Sequence, residues 1–492
     1  MALDTPQKLP LNLPQTLSVH ESKSGNLITL RLNPSVLAIE NVEVAYRHVI
    51  AANFYRDTQL VDISYLDRKN QRANLSLINF TGVVENTEKD IKDVVSNWIE
   101  TLMYVSYEGA GVKRNRRLKV LVNPFGGPGN AATIYTTKVE PIFKAAGCSL
   151  NVIHTSHHGH AFDIAKVLNF NYDAVVTLSG DGLIHEVMNG FANHKDPQRA
   201  FAIPVAPIPT GSGNGLSLNI LGFERGFDVT EAALNVIKGR PMKVDACSVT
   251  QNGKRAISFM SQAVGLMADL DIGTEHLRWL GDARFVVGLF RGLIQLKHCP
   301  IQLSVKVAES DKKKIMQNFH TRRSENEKSI PRTPSLSSAA EDVESGPLPP
   351  LKYSSDDTDG WITVDEPILY LYAGKGPYVG RDLMAFPASQ PNDGLIDVTV
   401  VHVSSRKDVL VYVNGAAKGE SFWSENLKYF KAHAYRVKPL NPEGCLSVDG
   451  EHFPFEEFQV EVHSGLATFL SPYGHYAAEF PPEPPSRSRR LR

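Results

Sequence analysis

The sequence predicts a chain of three parts: a small β-rich module, a parallel α/β domain, and a β-sandwich-like domain broken by a polar insertion. Three observations predict it. Short alternating runs near the N-terminus close on a single amphipathic helical pattern; from about residue 118 β-rich runs and helical patterns alternate; beyond about residue 241 strand patterns dominate again. At 492 residues the chain is too long for one core and fits two or three domains, and its 42% hydrophobic content suffices to build them.

Residues 1–16 are polar and Pro-rich and are expected to be disordered. The first module is assigned to residues 17–110. Leu27-Ile28-Thr29-Leu30-Arg31-Leu32 and Ala73-Asn74-Leu75-Ser76-Leu77-Ile78 alternate as strands do. Val84 to about Leu102 then opens with acidic residues, suited to the positive end of a helix dipole, and sets Ile91, Val94, Val95, Trp98 and Ile99 on one face. Strands closed by one such helix resemble a pleckstrin-homology-type module; a β-rich extension with no ligand of its own fits the pattern equally.

The α/β domain, residues 111–240, opens with the basic linker Lys113 to Arg117. Leu118–Val122, Leu150–His154, Ala174–Leu178 and Ala202–Ile208 read as strands, and Ala131–Ala146, Leu183–Ala192 and Val229–Lys238 as helices; this alternation predicts a parallel sheet. In residues 241–480, Pro367–Ala373, Leu395–Val403 and Phe458–Val462 read as strands, and Leu277–Leu296 and Lys407–Ala417 as helical pieces. Residues 309–360 are rich in Lys, Ser, Glu, Asp and Pro and are expected to form a disordered insertion, with Ser324 and Thr333 as candidate phosphorylation sites beside arginines. The tail 481–492 is Pro-rich with a basic end and is expected to be disordered as well.

Composition excludes several classes of function. A formal charge of -1 gives no global attraction for nucleic acid, so no nucleic-acid partner is expected. Cys148, Cys247, Cys299 and Cys445 lie far apart without a CxxC pair, against both a zinc site and a disulfide framework. The N-terminus Met-Ala-Leu-Asp-Thr-Pro shows no secretory pattern, and the longest apolar run, Phe285–Leu296, is broken by Arg291 and falls short of the roughly 20 residues of a span. A cytoplasmic protein touching a membrane surface only peripherally is expected.

Three strand candidates end in glycine-bearing loops followed by helical patterns: Asn123-Pro124-Phe125-Gly126-Gly127-Pro128-Gly129, Ser179-Gly180-Asp181-Gly182, and Thr210-Gly211-Ser212-Gly213-Asn214. Glycine lets backbone N–H groups approach an oxyanion, and the helix behind it aims its positive end at the same point. One such loop is weak evidence for a phosphate ligand; three at one sheet edge are strong. None is a Walker motif. Asp181, held between two glycines among these loops, would repel a phosphate unless a magnesium ion or a proton transfer explains it. An Asp-Gly turn, or a cap for the helix beginning at Leu183, is the plainer alternative.

The stretch Ser179 to Gly190, Ser-Gly-Asp-Gly-Leu-Ile-His-Glu-Val-Met-Asn-Gly, with Pro209-Thr210-Gly211-Ser212-Gly213-Asn214, resembles the catalytic domain of the diacylglycerol kinase superfamily, and within it the sphingosine kinases. The resemblance runs through Ala268-Asp269-Leu270-Asp271, Arg278 to Phe285, and Asp449-Gly450-Glu451, covering about Leu118 to Pro472. It implies an α/β nucleotide-binding domain and a β-sandwich-like lipid-binding domain behind the β-rich (pleckstrin-homology-like) module. It also implies ATP-dependent phosphorylation, with Mg2+, of the primary hydroxyl of a sphingoid long-chain base to the 1-phosphate.

Carried over by position, the resemblance makes Asp181 the catalytic acid/base. It places Asn123, Pro124, Gly126, Gly127, Thr155, Ser179, Gly180, Gly182 and Glu186 on ATP, with Thr210, Gly211, Ser212, Gly213 and Asn214 from the third loop. Arg278 and Arg284 would meet the phosphates, whose spread charge suits planar guanidinium donors; without the motif, two arginines snorkelling beside an apolar helix is the simpler picture. Asp449, Gly450 and Glu451 would return to the nucleotide, with Asp449 or Glu451 holding magnesium through water. Asp449-Gly450 is in its own right a type I′ hairpin signal. Ser261, Leu266, Asp271 and Phe285 would face the lipid. Asp393-Gly394 reads as structural.

Pro128 and Asn130 stand where members of that family often carry lysines, so the first loop brings no charge of its own. The amphipathic stretch Phe285 to Gln295 suits calmodulin, a membrane, or simple core packing. Kinases of ceramide or diacylglycerol, a soluble NAD kinase, and a catalytically silent lipid- or calmodulin-binding adaptor are the rival readings; an intact Asp181 speaks against the last.

Overall fold

Alternation in Leu27–Leu32 places Ile28, Leu30 and Leu32 on one buried face, and antiparallel neighbours do the same. The computed structural model describes residues 15–70, 72–85, 89–273, 299–328, 343–354, 356–364, 366–402 and 415–484. Its N-terminal part is a seven-stranded antiparallel sheet in the order Val42–Ala45, Val36–Ile39, Leu27–Leu32, Thr16–Glu21, Ser76–Val83, Leu60–Asp67, Val49–Tyr55. The helix Lys89–Ser106 buries Val95, Trp98, Ile99, Leu102 and Val105 with it. Val94, expected on that face, is exposed because the buried stripe runs 91, 95, 98, 102 along the helix.

Charges that lose water join this module to the next domain. Arg68 donates to Glu231 (2.6 Å) and Asp228 (3.2 Å), and Arg47 to Glu231 (3.2 Å). Lys238, at the end of the helix Val229–Lys238, donates to the Ser106 carbonyl (2.8 Å) with its ammonium over the Tyr107 ring, and burial pushes its pKa well down.

The second domain has the expected parallel order: Ser149–His154, Arg117–Val122, Ala174–Ser179, Val205–Pro209. One expectation needs correction. Ala202 belongs to a short helix, Pro197–Ala202, because Asp196 caps it and proline stands in its first turn; the strand starts only at Val205. The helix expected from Leu183 begins at Asp181 itself, spanning Asp181–Ala192. The same sheet continues through Phe458–Ser471 into the third domain, whose strands run Glu451–Phe453, Leu446–Val448, Ser261–Gly265, Ile368–Gly374, Ile396–His402, Leu427–Pro439.

Disorder throughout 309–360 is also corrected. A helix spans Lys312–Lys328, and Ile315 and Phe319 are buried on it, Phe319 against the Phe480 ring. Residues 343–354 form a strap across two domains. Gly346 N–H donates to Asp196 Oδ1 (3.2 Å), Arg255 donates to the Pro349 carbonyl (2.8 Å), and the amides of Lys352 and Tyr353 donate to buried Glu461. Backbone groups satisfied by side chains of other elements order a segment that has little apolar surface. Of the tail, residues 481–484 are described, and the Pro481 carbonyl accepts from Trp423 Nε1 (3.2 Å). The helical piece at 277–296, the calmodulin or membrane stretch within it, most of 407–417, Thr333, residues 1–14 and residues 485–492 lie outside the described residues. Among those described, no helix is long and apolar enough to cross a membrane.

Candidate functional site

Parallel register brings the ends of three strands level, so Asn123, Gly180 and Thr210 leave the sheet side by side. Backbone bonds hold them there: Asn123 N–H to Leu178 O (3.0 Å), Thr155 N–H to Val122 O (2.8 Å), Thr210 N–H to Ser179 O (3.1 Å). The glycines permit contact between the loops. Gly127 has φ +57°, and a Cβ on it would lie 2.6 Å from the Thr210 carbonyl; a Cβ on Gly211 would run into the Gly180 backbone. Asn123 Oδ1 closes the first loop by accepting from Phe125 N–H (3.0 Å), and Asn214 closes the third on Gly211. Pro124 and Ser212 are half-buried at the rim. Thr210 Oγ1 is buried without a hydrogen-bond partner among the described residues.

Asp181 lies at the centre, 6% exposed. Its N–H donates to Gly213 O (3.0 Å), and its carboxylate accepts from Gly215 N–H (2.7 Å) and Leu216 N–H (3.2 Å). It therefore does cap a helix, but Gly215–Leu221 rather than its own. Amide dipoles at the N-terminus of that helix favour the carboxylate in its charged form.

Glu186, assigned to the nucleotide from sequence, accepts from the backbone amides of Gly159 and Ala161 (both 2.9 Å) and so holds the loop after Thr155. In that loop His157 and His160 stack, and His158 Nε2 lies 3.5 Å from Glu451 Oε2.

Asp449 and Gly450, at φ +52° and +86°, make the expected hairpin between Val448 and Glu451. The sequence offers Asp449, as an alternative to Glu451, to magnesium through water. Ser258 Oγ, the amides of Phe259, Met260 and Ser261, and His185 Nδ1 all donate to its two oxygens. Burial opposes charge on His185, but the hydrogen bond and charge of Asp449 prevail and raise its pKa above the ordinary value. Glu451 is the carboxylate turned toward the loops, its Oε1 3.1 Å from where a Gly182 Cβ would stand. Among the described residues no cluster of three His, Cys, Asp or Glu is arranged for a metal. A single carboxylate beside phosphate loops still fits Mg2+, which keeps waters and leans on substrate phosphates.

The structure thus brings together every glycine-loop residue inferred from sequence, with Thr155, Asp181 and Glu451. Of the lipid-facing set, Leu266 is buried in a cluster with Ala263, Tyr372 and Phe386, and Ser261 serves Asp449 through its N–H. Asp271 falls in the helix Leu266–Gly273, its side chain outside the described set, as are Arg278, Arg284 and Phe285. Sequence reasoning missed His185, although its position one turn after Asp181 was a usable signal.

Residues 117–249 match the diacylglycerol kinase catalytic domain family, and residues 358–470 match the YegS C-terminal NAD kinase beta sandwich-like domain family. The chain is 34% identical to sphingoid long chain base kinase 4 of Schizosaccharomyces pombe over 425 residues, covering 84% of each chain. It is 29% identical to human sphingosine kinase 1, covering 72% of this chain and 91% of that one. A diacylglycerol kinase structure from Bacillus anthracis str. Sterne covers 72% of the chain at TM-score 0.47 and 17% identity.

Proposed function

Because the chain belongs to the family of sphingoid long chain base kinases, we propose that it transfers the γ-phosphoryl group of ATP to the primary hydroxyl of a sphingoid base. The observation that carries this reading is the convergence of three glycine loops on one buried carboxylate, Asp181. Backbone amides of the loops and the Thr210 hydroxyl suit phosphate oxygens, and Asn123 and Ser179 line the same turn. Asp181 takes the proton of the lipid hydroxyl as its oxygen bonds to the γ-phosphorus and the bond to the β,γ-bridging oxygen breaks, leaving ADP. Mg2+ held beside Glu451 would neutralise charge on the phosphates.

The third domain is read as the lipid-binding side. There Asp271 is assigned to the 2-ammonium group of the base, since a charge-assisted hydrogen bond distinguishes a free amine from an amide or ester. The seven-stranded sheet closed by one helix supports a pleckstrin-homology-type module, and a lipid substrate supports peripheral contact with membranes from the cytoplasm. The test is turnover of ATP by purified protein with sphingosine, ceramide and diacylglycerol in mixed micelles. Sphingosine should be preferred, and Asp271→Asn should lower kcat/KM for it about 10- to 150-fold while sparing the KM for ATP. Equal use of ceramide or diacylglycerol would overturn the sphingoid assignment and leave a broader lipid kinase.

A further inference from the structure

Asp449 is 3% exposed, and its bonds come from two domains. Oδ1 accepts from Ser258 Oγ (2.6 Å), Met260 N–H (3.0 Å) and Ser261 N–H (2.9 Å), all on the bend between two strands of the third domain. Oδ2 accepts from Phe259 N–H (3.2 Å) of the same bend, and from His185 Nδ1 (2.9 Å) on the helix that Asp181 begins. The chain of bonds continues inward, from Gln262 Nε2 to Ser258 Oγ (2.6 Å) and from Tyr435 OH to Gln262 Oε1 (3.0 Å). One turn beyond His185, Asn189 clasps the same domain, donating to Ile257 O and accepting from Ile257 N–H (both 2.9 Å). The catalytic helix is therefore pinned to the third domain at two successive turns.

Building on the kinase reading, we infer that Asp449 is a positioning residue that acts with His185 as a latch. It fixes the hairpin so that Glu451 stands against Gly182, and it sets the lipid-binding domain in register with the helix that carries Asp181. A carboxylate is required because all its partners donate. An asparagine amide would turn an N–H toward other N–H groups, and the hairpin would have to shift. A displacement of about 1 Å at a reacting group costs on the order of 100-fold in rate.

The experiment uses the full chain with Asp449→Asn, His185→Ala, His185→Gln, Glu451→Gln and the Asp449→Asn/His185→Ala double variant, assayed well below their unfolding temperatures. Asp449→Asn should lower kcat about 10- to 100-fold with half-saturating Mg2+ little changed, whereas Glu451→Gln should raise half-saturating Mg2+. His185→Gln, which keeps a donor, should retain more activity than His185→Ala. The double variant should lose less Tm than the two single losses added together. If Asp449→Asn instead raises half-saturating Mg2+ as Glu451→Gln does, Asp449 belongs to the metal side and the latch is wrong. Unchanged kcat in folded Asp449→Asn or His185→Ala, or additive Tm losses, would also overturn it. The Tm cycle needs no substrate, so a wild type inactive on sphingoid bases strikes the kinase reading and leaves the latch to be judged on coupling.

Discussion

Two regions of the molecule bury aspartates in Asp-Gly pairs and use them differently. At the glycine-loop edge, Asp181 accepts from the amides of Gly215 and Leu216, and Asp449 from backbone amides, the Ser258 hydroxyl and His185. In the third domain, Asp393 lies between Lys375 Nζ (2.8 Å) and Lys431 Nζ (2.6 Å), with Asp245 on Lys375 (3.0 Å) and Asp397 on Lys431 (3.0 Å). Burial would raise the pKa of Asp393, but the two lysines hold it far below the usual carboxylate range; at Asp397 burial, helped by the charge of Asp393, outweighs Lys431 and raises the pKa. Carboxylates met by lysines are committed to holding strands together. Those at the loop edge hold backbone amides, and the proposed role of Asp181 as proton acceptor has to be separated from that.

The largest effect should come from unbalancing the lysine cluster. Lys375→Met leaves Asp245 and Asp393 buried beside each other, a loss of about 3–5 kcal/mol, against a total stability of about 5–15 kcal/mol for a domain. Urea unfolding should show a collapse in midpoint or a protein that does not fold. A variant as stable as wild type would show that the cluster is not what holds these strands.

Asp181→Asn tests the other region. Shape is kept, but the amide replaces one of the two oxygens that accept from Gly215 and Leu216, so Tm should fall modestly, while turnover falls about 10²- to 10⁴-fold. A large fall in Tm with near-normal kcat in the folded fraction would make Asp181 a cap and nothing more.

How much of this was legible in the sequence follows from which interactions are local. The glycine loops, the helix Val229–Lys238 and the Asp449-Gly450 hairpin were readable because turn chemistry and periodicity act over a few residues. The bonds that hold Asp449 were not readable, because its donors lie about 190 to 264 residues away in sequence and no local pattern announces them. The strap was read as disorder for a related reason: composition counts a segment's own apolar surface and is blind to the receptors, Asp196, Arg255 and Glu461, that other elements offer it.

The strap gives an intermediate effect that sharpens the contrast. Glu461→Gln weakens its bonds to the Lys352 and Tyr353 amides and should cost about 1–3 kcal/mol. Limited proteolysis should then cut faster within residues 343–354 while kcat stays near wild type. Unchanged cleavage would mean that Glu461 does not hold the strap.

The smallest effect is a difference in sign with pH. His463 Nε2 faces both Arg255 Nη2 (2.8 Å) and Ser248 Oγ (2.7 Å), and burial, followed by the charges of Arg255 and Lys352, pushes its pKa down to about 4. A free histidine titrates near 6.5, so between those values the unfolded chain binds more protons, and stability falls as the pH is lowered. His185 is shifted the other way: its bond to Asp449 contributes fully below the unfolded value and is lost as pH rises through the raised one. Mild acid should therefore loosen the strap's anchor at Arg255 and spare the latch, and mild alkali should do the reverse. From pH 6.5 to 5 the His463 share is about 1–2 kcal/mol. His48, also lowered to about 4 by burial and by Arg47, adds a like loss in the N-terminal module, so the variant has to isolate one group. His463→Gln keeps an acceptor for Arg255 and cannot titrate. Its Tm should fall less than that of wild type between pH 6.5 and 5, and equal slopes in the two proteins would remove His463 from the account of acid sensitivity.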